Sequence, residues 1–219
     1  MLRVAVFVSG GGTNLQAIID AQNSGIIRDA KVELVISSSK SAYALKRAEN
    51  ANIKTAVISK KNFENANQWE NELVNELKRN SIDLIVLAGF MSILSKDFIK
   101  QYPNKIINVH PSLIPSFCGE GMYGLHVHEA ALAKGVKVTG ATVHYVNEIV
   151  DGGEIIAQKA VEVLRGDTPE TLQKRVMEKA EWVILPRAIQ TIAEDIALGY
   201  TIQNTTCMRR NPNATDAVH

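Results

Sequence analysis

Asn108 and His110 stand two residues apart in Asn108-Val109-His110-Pro111-Ser112-Leu113-Ile114-Pro115, directly after the apolar pair Ile106-Ile107. On an extended chain, residues two apart point to the same side. A histidine near neutral pKa can give or take a proton, and an Asn amide can donate to an oxygen that gains charge. Acyl transfer needs such a pair. Taken alone, the same two residues also suit a structural role beside a proline-stiffened loop. Asp151 could add a carboxylate, but Asp151-Gly152 is equally a turn dipeptide. His144 sits among β-branched residues, either behind a site or as a satisfied sheet residue. His126 and His128 have no carboxylate or cysteine at a ligand spacing. They read as a helix start packed near the site, and no metal is expected.

A second cluster is Ser9-Gly10-Gly11-Gly12-Thr13-Asn14, after the apolar run Leu2 to Val8. Glycines let a backbone turn tightly and approach a ligand. The helix start that follows offers free N–H groups and a partial positive charge, which suits a phosphate on a small substrate. A tight strand-to-helix turn capped by Thr13 is the other reading. The cluster is not a dinucleotide fingerprint, because Leu15 stands at its third glycine and Ser37-Ser38-Ser39 supply no acid for a ribose. No Gly-Lys-Ser/Thr follows, so it is not a P-loop. NAD and ATP are both disfavoured.

These residues need elements to hold them. Apolar runs at Leu2 to Val8, Val32 to Ile36, Thr55 to Ile58, Asp83 to Ala88 and Ile106 to Val109 read as strands. Between them, Asn14 to Ala21, Ser41 to Asn50 (with Ser41 as N-cap) and Asn67 to Asn80 carry helical spacing. Continuous apolar strands alternating with helices imply a parallel sheet covered on both faces. After Gly135 the pattern changes. Val136 to Val146 and Glu154 to Val163 are β-branched and flank a turn, which predicts an antiparallel C-terminal part. Thr168 caps a helix with Pro169 in its first turn, running toward Leu198 with an interruption at Pro186. The expected class is therefore an α/β, open, mostly parallel, doubly wound sheet. One domain spans 1–200, with a polar tail over 201–219.

The bulk numbers exclude several classes. Lys plus Arg is 24 and Asp plus Glu is 23, so the net charge is +1. Neither nucleic acid nor an anionic membrane is an expected partner. The cysteines, Cys118 and Cys207, lie outside any zinc or disulfide pattern, and a reducing cytoplasm is the simple reading. The first apolar run is too short to span a bilayer.

Four segments in order carry a resemblance. Ser9-Gly10-Gly11-Gly12-Thr13-Asn14-Leu15-Gln16-Ala17-Ile18 resembles the opening of the glycinamide ribonucleotide formyltransferases. Leu87-Ala88-Gly89-Phe90-Met91-Ser92-Ile93-Leu94 resembles their folate loop. The Asn108 to Pro115 segment resembles a signature of folate-dependent formyltransferases. Gly140-Ala141-Thr142-Val143-His144 leading to Asp151-Gly152-Gly153 resembles their last catalytic segment. The likeness covers about Leu2 to Leu198. It implies the formyltransferase fold and formyl transfer from 10-formyltetrahydrofolate, as co-substrate, to the amine of glycinamide ribonucleotide in purine synthesis. It implies that Gly12, Thr13 and Asn14 hold the ribonucleotide phosphate, with Glu181 near the substrate. Met91, Ser92, Ile93 and Leu94 would line the folate pocket. Asn108 would bond the formyl oxygen and His110 would be the general acid. Asp151 would favour the charged imidazole. His144 would sit behind them. A monomer or homodimer is expected.

The chain departs from that pattern in places. The loop Ser116 to Gly124 is longer than in many members. Ser92 and Ala66 stand where some carry Arg, and Trp182 follows Glu181 where many have His. Rival readings are another folate-dependent formyltransferase, a formyltetrahydrofolate hydrolase and a non-catalytic binding module. A tRNA-directed formyltransferase would need a basic C-terminal domain, and a hydrolase an extra N-terminal one. A chain of 219 residues whose first strand begins at Leu2 is expected to carry neither.

Overall fold

A computed structural model describes residues 1–200. The tail over 201–219, with Cys207, lies outside the described residues. The strands are β1 (Leu2–Val8), β2 (Ala30–Ser37), β3 (Lys54–Val57), β4 (Leu84–Leu87), β5 (Ile106–His110), β6 (Val138–Tyr145) and β7 (Ile155–Glu162). The α-helices are α1 (Thr13–Asn23), α2 (Tyr43–Asn50), α3 (Ala66–Arg79), α4 (Lys96–Gln101), α5 (Leu125–Lys134), α6 (Pro169–Val176) and α7 (Trp182–Ala197). They form one seven-stranded sheet in the order β3-β2-β1-β4-β5-β6-β7. The pairs from β3 to β5 are parallel, and β6 and β7 add antiparallel. The expected mostly parallel sheet with an antiparallel end is what forms.

The continuous apolar strands have a direct cause. Successive side chains of β1 alternate between two cores. Val4, Val6 and Val8 face the core shared with Leu15 and Ile18 of α1 and Leu185 and Ile189 of α7. Ala5 and Phe7 face the opposite core, with Trp69, Leu73 and Leu77 of α3 and Phe98 of α4. A strand covered on both faces has no solvent side on which to place polar residues.

Chain order reverses between β1 and β4, so the loops leaving their carboxyl ends part and open a crevice. The Gly10–Asn14 loop follows β1 and the Gly89–Leu94 loop follows β4. The site is therefore placed by topology.

Two local expectations need correcting. Ser41 does not cap α2. Ala42 holds the cap position without a side-chain bond, and the Ser41 hydroxyl instead pairs with Ser39 Oγ at 2.9 Å. Nor does Pro186 interrupt the C-terminal helix. The α-helix continues through it, and the irregularity is a π-turn at Met177–Glu181. Pro186 lies in the second turn of α7, where its missing N–H falls close to the π-turn that already disturbs the hydrogen-bond ladder. Thr168 and Pro169 do start α6 as expected, with a reciprocal capping box between Thr168 and Thr171.

Candidate active site

Asn108 and His110 end β5. Antiparallel pairing sets Asn108 opposite His144 and His110 opposite Thr142 on β6. Asn108 Nδ2 lies 3.2 Å from His144 Nε2. His144 Nδ1 lies 2.8 Å from the Tyr145 carbonyl, which can only accept, so Nδ1 carries hydrogen.

Asp151 reaches this group from the turn between β6 and β7. Its φ of 53° is left-handed, a conformation Asp tolerates better than most residues. The turn closes through Gly153, where a Cβ would stand 1.6 Å from the Tyr145 carbonyl oxygen. The Asp151 carboxylate then sits between two imidazoles. Oδ2 is 3.5 Å from His110 Nδ1, and Oδ1 is 3.6 Å from His144 Nε2. Burial alone would push this carboxyl up. His144, the Gly119 N–H and the nearby imidazole charge outweigh it and hold the carboxyl below its ordinary value.

The long loop folds over this cluster. The Phe117 carbonyl lies 2.9 Å from His110 Nε2, so that nitrogen is a donor. The Gly119 N–H donates to Asp151 Oδ2 at 2.9 Å. Phe117 is held at φ 50°, costly for an aromatic residue. Thr142 anchors the loop's start: its hydroxyl donates to the Ser112 carbonyl and accepts the Ile114 N–H. Backbone contacts at Phe117 and Gly119 had no side-chain signal in the sequence.

His128 is fully buried on α5, and neither ring nitrogen has a hydrogen-bond partner in the protein. Burial, then the neighbouring His110, lowers its pKa to about 4. It is a neutral group beside the site. His126 is exposed and pairs with Glu129. The two are not brought together as ligands. Among the described residues no group of three or more His, Cys, Asp or Glu is placed to hold a metal ion.

At the other end of the crevice, Gly12 adopts φ 70° immediately before α1. A Cβ there would stand 2.5 Å from Ala44 Cβ, so only glycine lets α2 pack this closely. The N–H groups of Thr13 and Asn14 begin α1 with no carbonyl one turn earlier to receive them. Asn14 Nδ2 donates to Glu181 Oε2 at 2.7 Å, and Asn14 Oδ1 is buried without a partner. Burial pushes the Glu181 carboxyl up, offset in part by that Asn14 bond. Glu181 thus lies on the long helical run Pro169–Ala197, at the π-turn within it, and it meets the loop through Asn14.

Ser9 links the two loops, a connection the sequence did not reveal. Its hydroxyl accepts the Met91 N–H at 2.9 Å and pairs with Ser38 Oγ at 2.7 Å. Met91 and Ile93 are exposed, Ser92 is half-buried and Leu94 is buried. Ile149 and Val150 are exposed on the turn that carries Asp151. So the Leu94 side chain packs in the core beside Phe98 instead of lining an open surface.

Known proteins resemble this chain over most of its length. The Formyl transferase model matches residues 2–189. The chain belongs to the formyl transferase family. A Haemophilus influenzae protein named phosphoribosylglycinamide formyltransferase is 42% identical over 194 residues, covering 89% of this chain and 88% of that one. The crystal structure of glycinamide ribonucleotide transformylase 1 from Symbiobacterium toebii superposes with a TM-score of 0.82 at 41% identity, covering 89% and 88% of the two chains. The human trifunctional purine biosynthetic protein adenosine-3 is 46% identical over 191 residues. That match covers 87% of this chain but only 18% of the human protein. The resemblance drawn from four motifs is thus matched across nearly the whole described chain. No helix among the described residues is long and apolar enough to cross a membrane.

Proposed function

We propose that this protein moves the formyl group of 10-formyltetrahydrofolate to the amine of glycinamide ribonucleotide. The convergence of Asn108, His110 and Asp151 in one crevice with a helix N-terminus carries this reading. The names of its relatives support formyl transfer to the ribonucleotide and a place in purine synthesis.

The Thr13 and Asn14 N–H groups and the Thr13 hydroxyl hold the substrate phosphate. Asn14 contributes through its backbone, because its side-chain N–H is committed to Glu181. Glu181 fixes the Asn14 side chain and is not itself a phosphate ligand, since a carboxyl would oppose that anion. The exposed Met91, Ile93, Ile149 and Val150 offer apolar surface suited to a folate ring system on the other side of the crevice. The folate supplies the formyl carbon.

The amine attacks that carbon directly. Asn108 Nδ2 and His110 Nε2 donate to the oxygen as it gains charge. The Phe117 carbonyl stands where that oxygen would be received from His110, so the loop withdraws before reaction. Asp151 Oδ2 lies 3.5 Å from His110 Nδ1 and orients the ring. It also accepts a proton from the attacking amine, directly or through water. As the tetrahedral intermediate collapses, the bond from the formyl carbon to the folate nitrogen breaks, and that nitrogen leaves as tetrahydrofolate carrying the proton the amine gave up. His144 holds the Asn108 amide in place.

A formyl-transfer assay with and without the ribonucleotide tests this. Ribonucleotide-dependent loss of the formyl group is expected. Equal loss in both tubes would show a hydrolase, and no loss in either would overturn the catalytic assignment.

A further inference from the structure

A separate cavity of about 520 Å³ lies between α1 and α7, on the flank of the phosphate-loop helix away from the His110 cluster. That volume is within the range of small-molecule sites. Its floor is small and apolar, with Ala17 and Ala21 of α1 facing Val183 and Pro186 of α7. Trp182 forms a wall. The Trp182 Nε1 is turned inward and buried, so the residue does not present its N–H to the cavity.

Polar groups stand around this apolar floor. Arg187 is exposed and makes no hydrogen bond or ion pair with the described residues. Arg47 is fixed, its Nε donating to the Gly11 carbonyl at 2.8 Å and Nη1 to Gln16 Oε1 at 3.0 Å. A guanidinium carries five N–H donors, so this fork keeps others free. Among the described residues the Asp20 carboxylate accepts one side-chain hydrogen bond, from Gln16 at 2.9 Å. Two guanidiniums suit a phosphate, a carboxylate suits hydroxyl or amino donors, and a slot of indole, proline and alanine suits a flat ring.

We infer that the α1–α7 cavity is a second ligand site that takes a nucleoside monophosphate, its phosphate at Arg187 and Arg47 and its base in the Trp182 slot. The site touches the substrate crevice at two points. Thr13 lines the cavity and begins α1, and Trp182 follows Glu181, which holds Asn14. Occupancy therefore shifts the Michaelis constant for the phosphate-bearing substrate. That consequence rests on the function proposed above, whereas the binding itself does not.

Tryptophan fluorescence tests the site in the full chain with adenosine 5′-monophosphate as probe. The chain has two tryptophans, and Trp69 is fully buried, so a change reports on Trp182. A saturable change is expected that persists with glycinamide ribonucleotide in excess. Affinity should drop tenfold or more in Arg187→Ala, and adenosine or inorganic phosphate alone should bind at least tenfold more weakly. Arg187 has no partner among the described residues, so this variant should keep its structure and basal turnover. No saturable change would overturn the inference, as would unchanged affinity in Arg187→Ala, full displacement by the ribonucleotide, or phosphate binding as well as the nucleotide. Formyl transfer without nucleotide binding would defeat this site alone. Nucleotide binding without formyl transfer would defeat only the catalytic reading.

Discussion

The two ends of the crevice are built in opposite ways. The loop proposed to hold the phosphate is six consecutive residues, Ser9 to Asn14, and the groups assigned to that task are mainly backbone N–H donors at a helix start. The His110 cluster is drawn from a strand end, an antiparallel neighbour, a turn and a long loop, separated by up to 41 residues between His110 and Asp151. One end relies on backbone geometry that many side chains permit. The other relies on an amide, two imidazoles and one carboxylate brought within 3.2–3.6 Å of one another. Side-chain substitution should therefore damage the cluster much more than the loop, and acid should act on the cluster first.

The sharpest test of that contrast is His110→Ala. Turnover should fall by a hundredfold to ten-thousandfold, about the worth of an acid–base group, while circular dichroism stays native. Asp151→Asn should fall in the same range. Near-normal turnover in both would erase the difference between the two ends.

Acid stability gives the next test. His128 titrates near 4 in the fold, against about 6.5 in an unfolded chain. As pH falls below 6.5 the unfolded state takes the proton first. The stability that a neutral His128 allows is complete above pH 6.5 and is lost progressively down to pH 4. With each pH unit of separation worth about 1.4 kcal/mol, the loss approaches about 3 kcal/mol. Denaturant melts at pH 7 and pH 4 should show this loss in the parent and a clearly smaller one in His128→Leu. Equal slopes would remove His128 as the acid-sensitive group.

At the phosphate loop, Gly12→Ala should cost about 1–3 kcal/mol of stability, from its positive φ and its contact with Ala44. The same variant should raise the ribonucleotide Michaelis constant. Thr13→Ala should act least, raising that constant about tenfold or less with turnover nearly intact, because the backbone donors remain. A pure turnover loss at Thr13 would mean that this end takes part in the chemistry and that the contrast is wrong.

Much of this was legible without coordinates, for identifiable reasons. Strand runs such as Leu2 to Val8 are read from apolar continuity because both faces are covered. Thr168-Pro169 marks a helix start because a cap and a first-turn proline act locally. Ser41 misled, because a serine before a helix is a cap only if its hydroxyl finds the helix N–H groups, and Ser39 took it instead. The assumed break at Pro186 failed because proline's effect depends on whether the ladder around it is already irregular.

The sequence by itself determined the sheet class, the backbone cradle before α1 and the identity of Asn108, His110 and Asp151 as a candidate set. These follow from periodicity, local turn chemistry and motif order, which are written in neighbouring residues. Only the tertiary structure decided that Asp151 lies between two imidazoles, that Phe117 and Gly119 fold their backbone onto His110 and Asp151, that Ser9 ties the two loops, and that Arg187 and Trp182 border a cavity. Those contacts join residues distant along the chain, many through backbone atoms that every residue shares. Their formation depends on strand register and loop path, so residue type alone does not encode them.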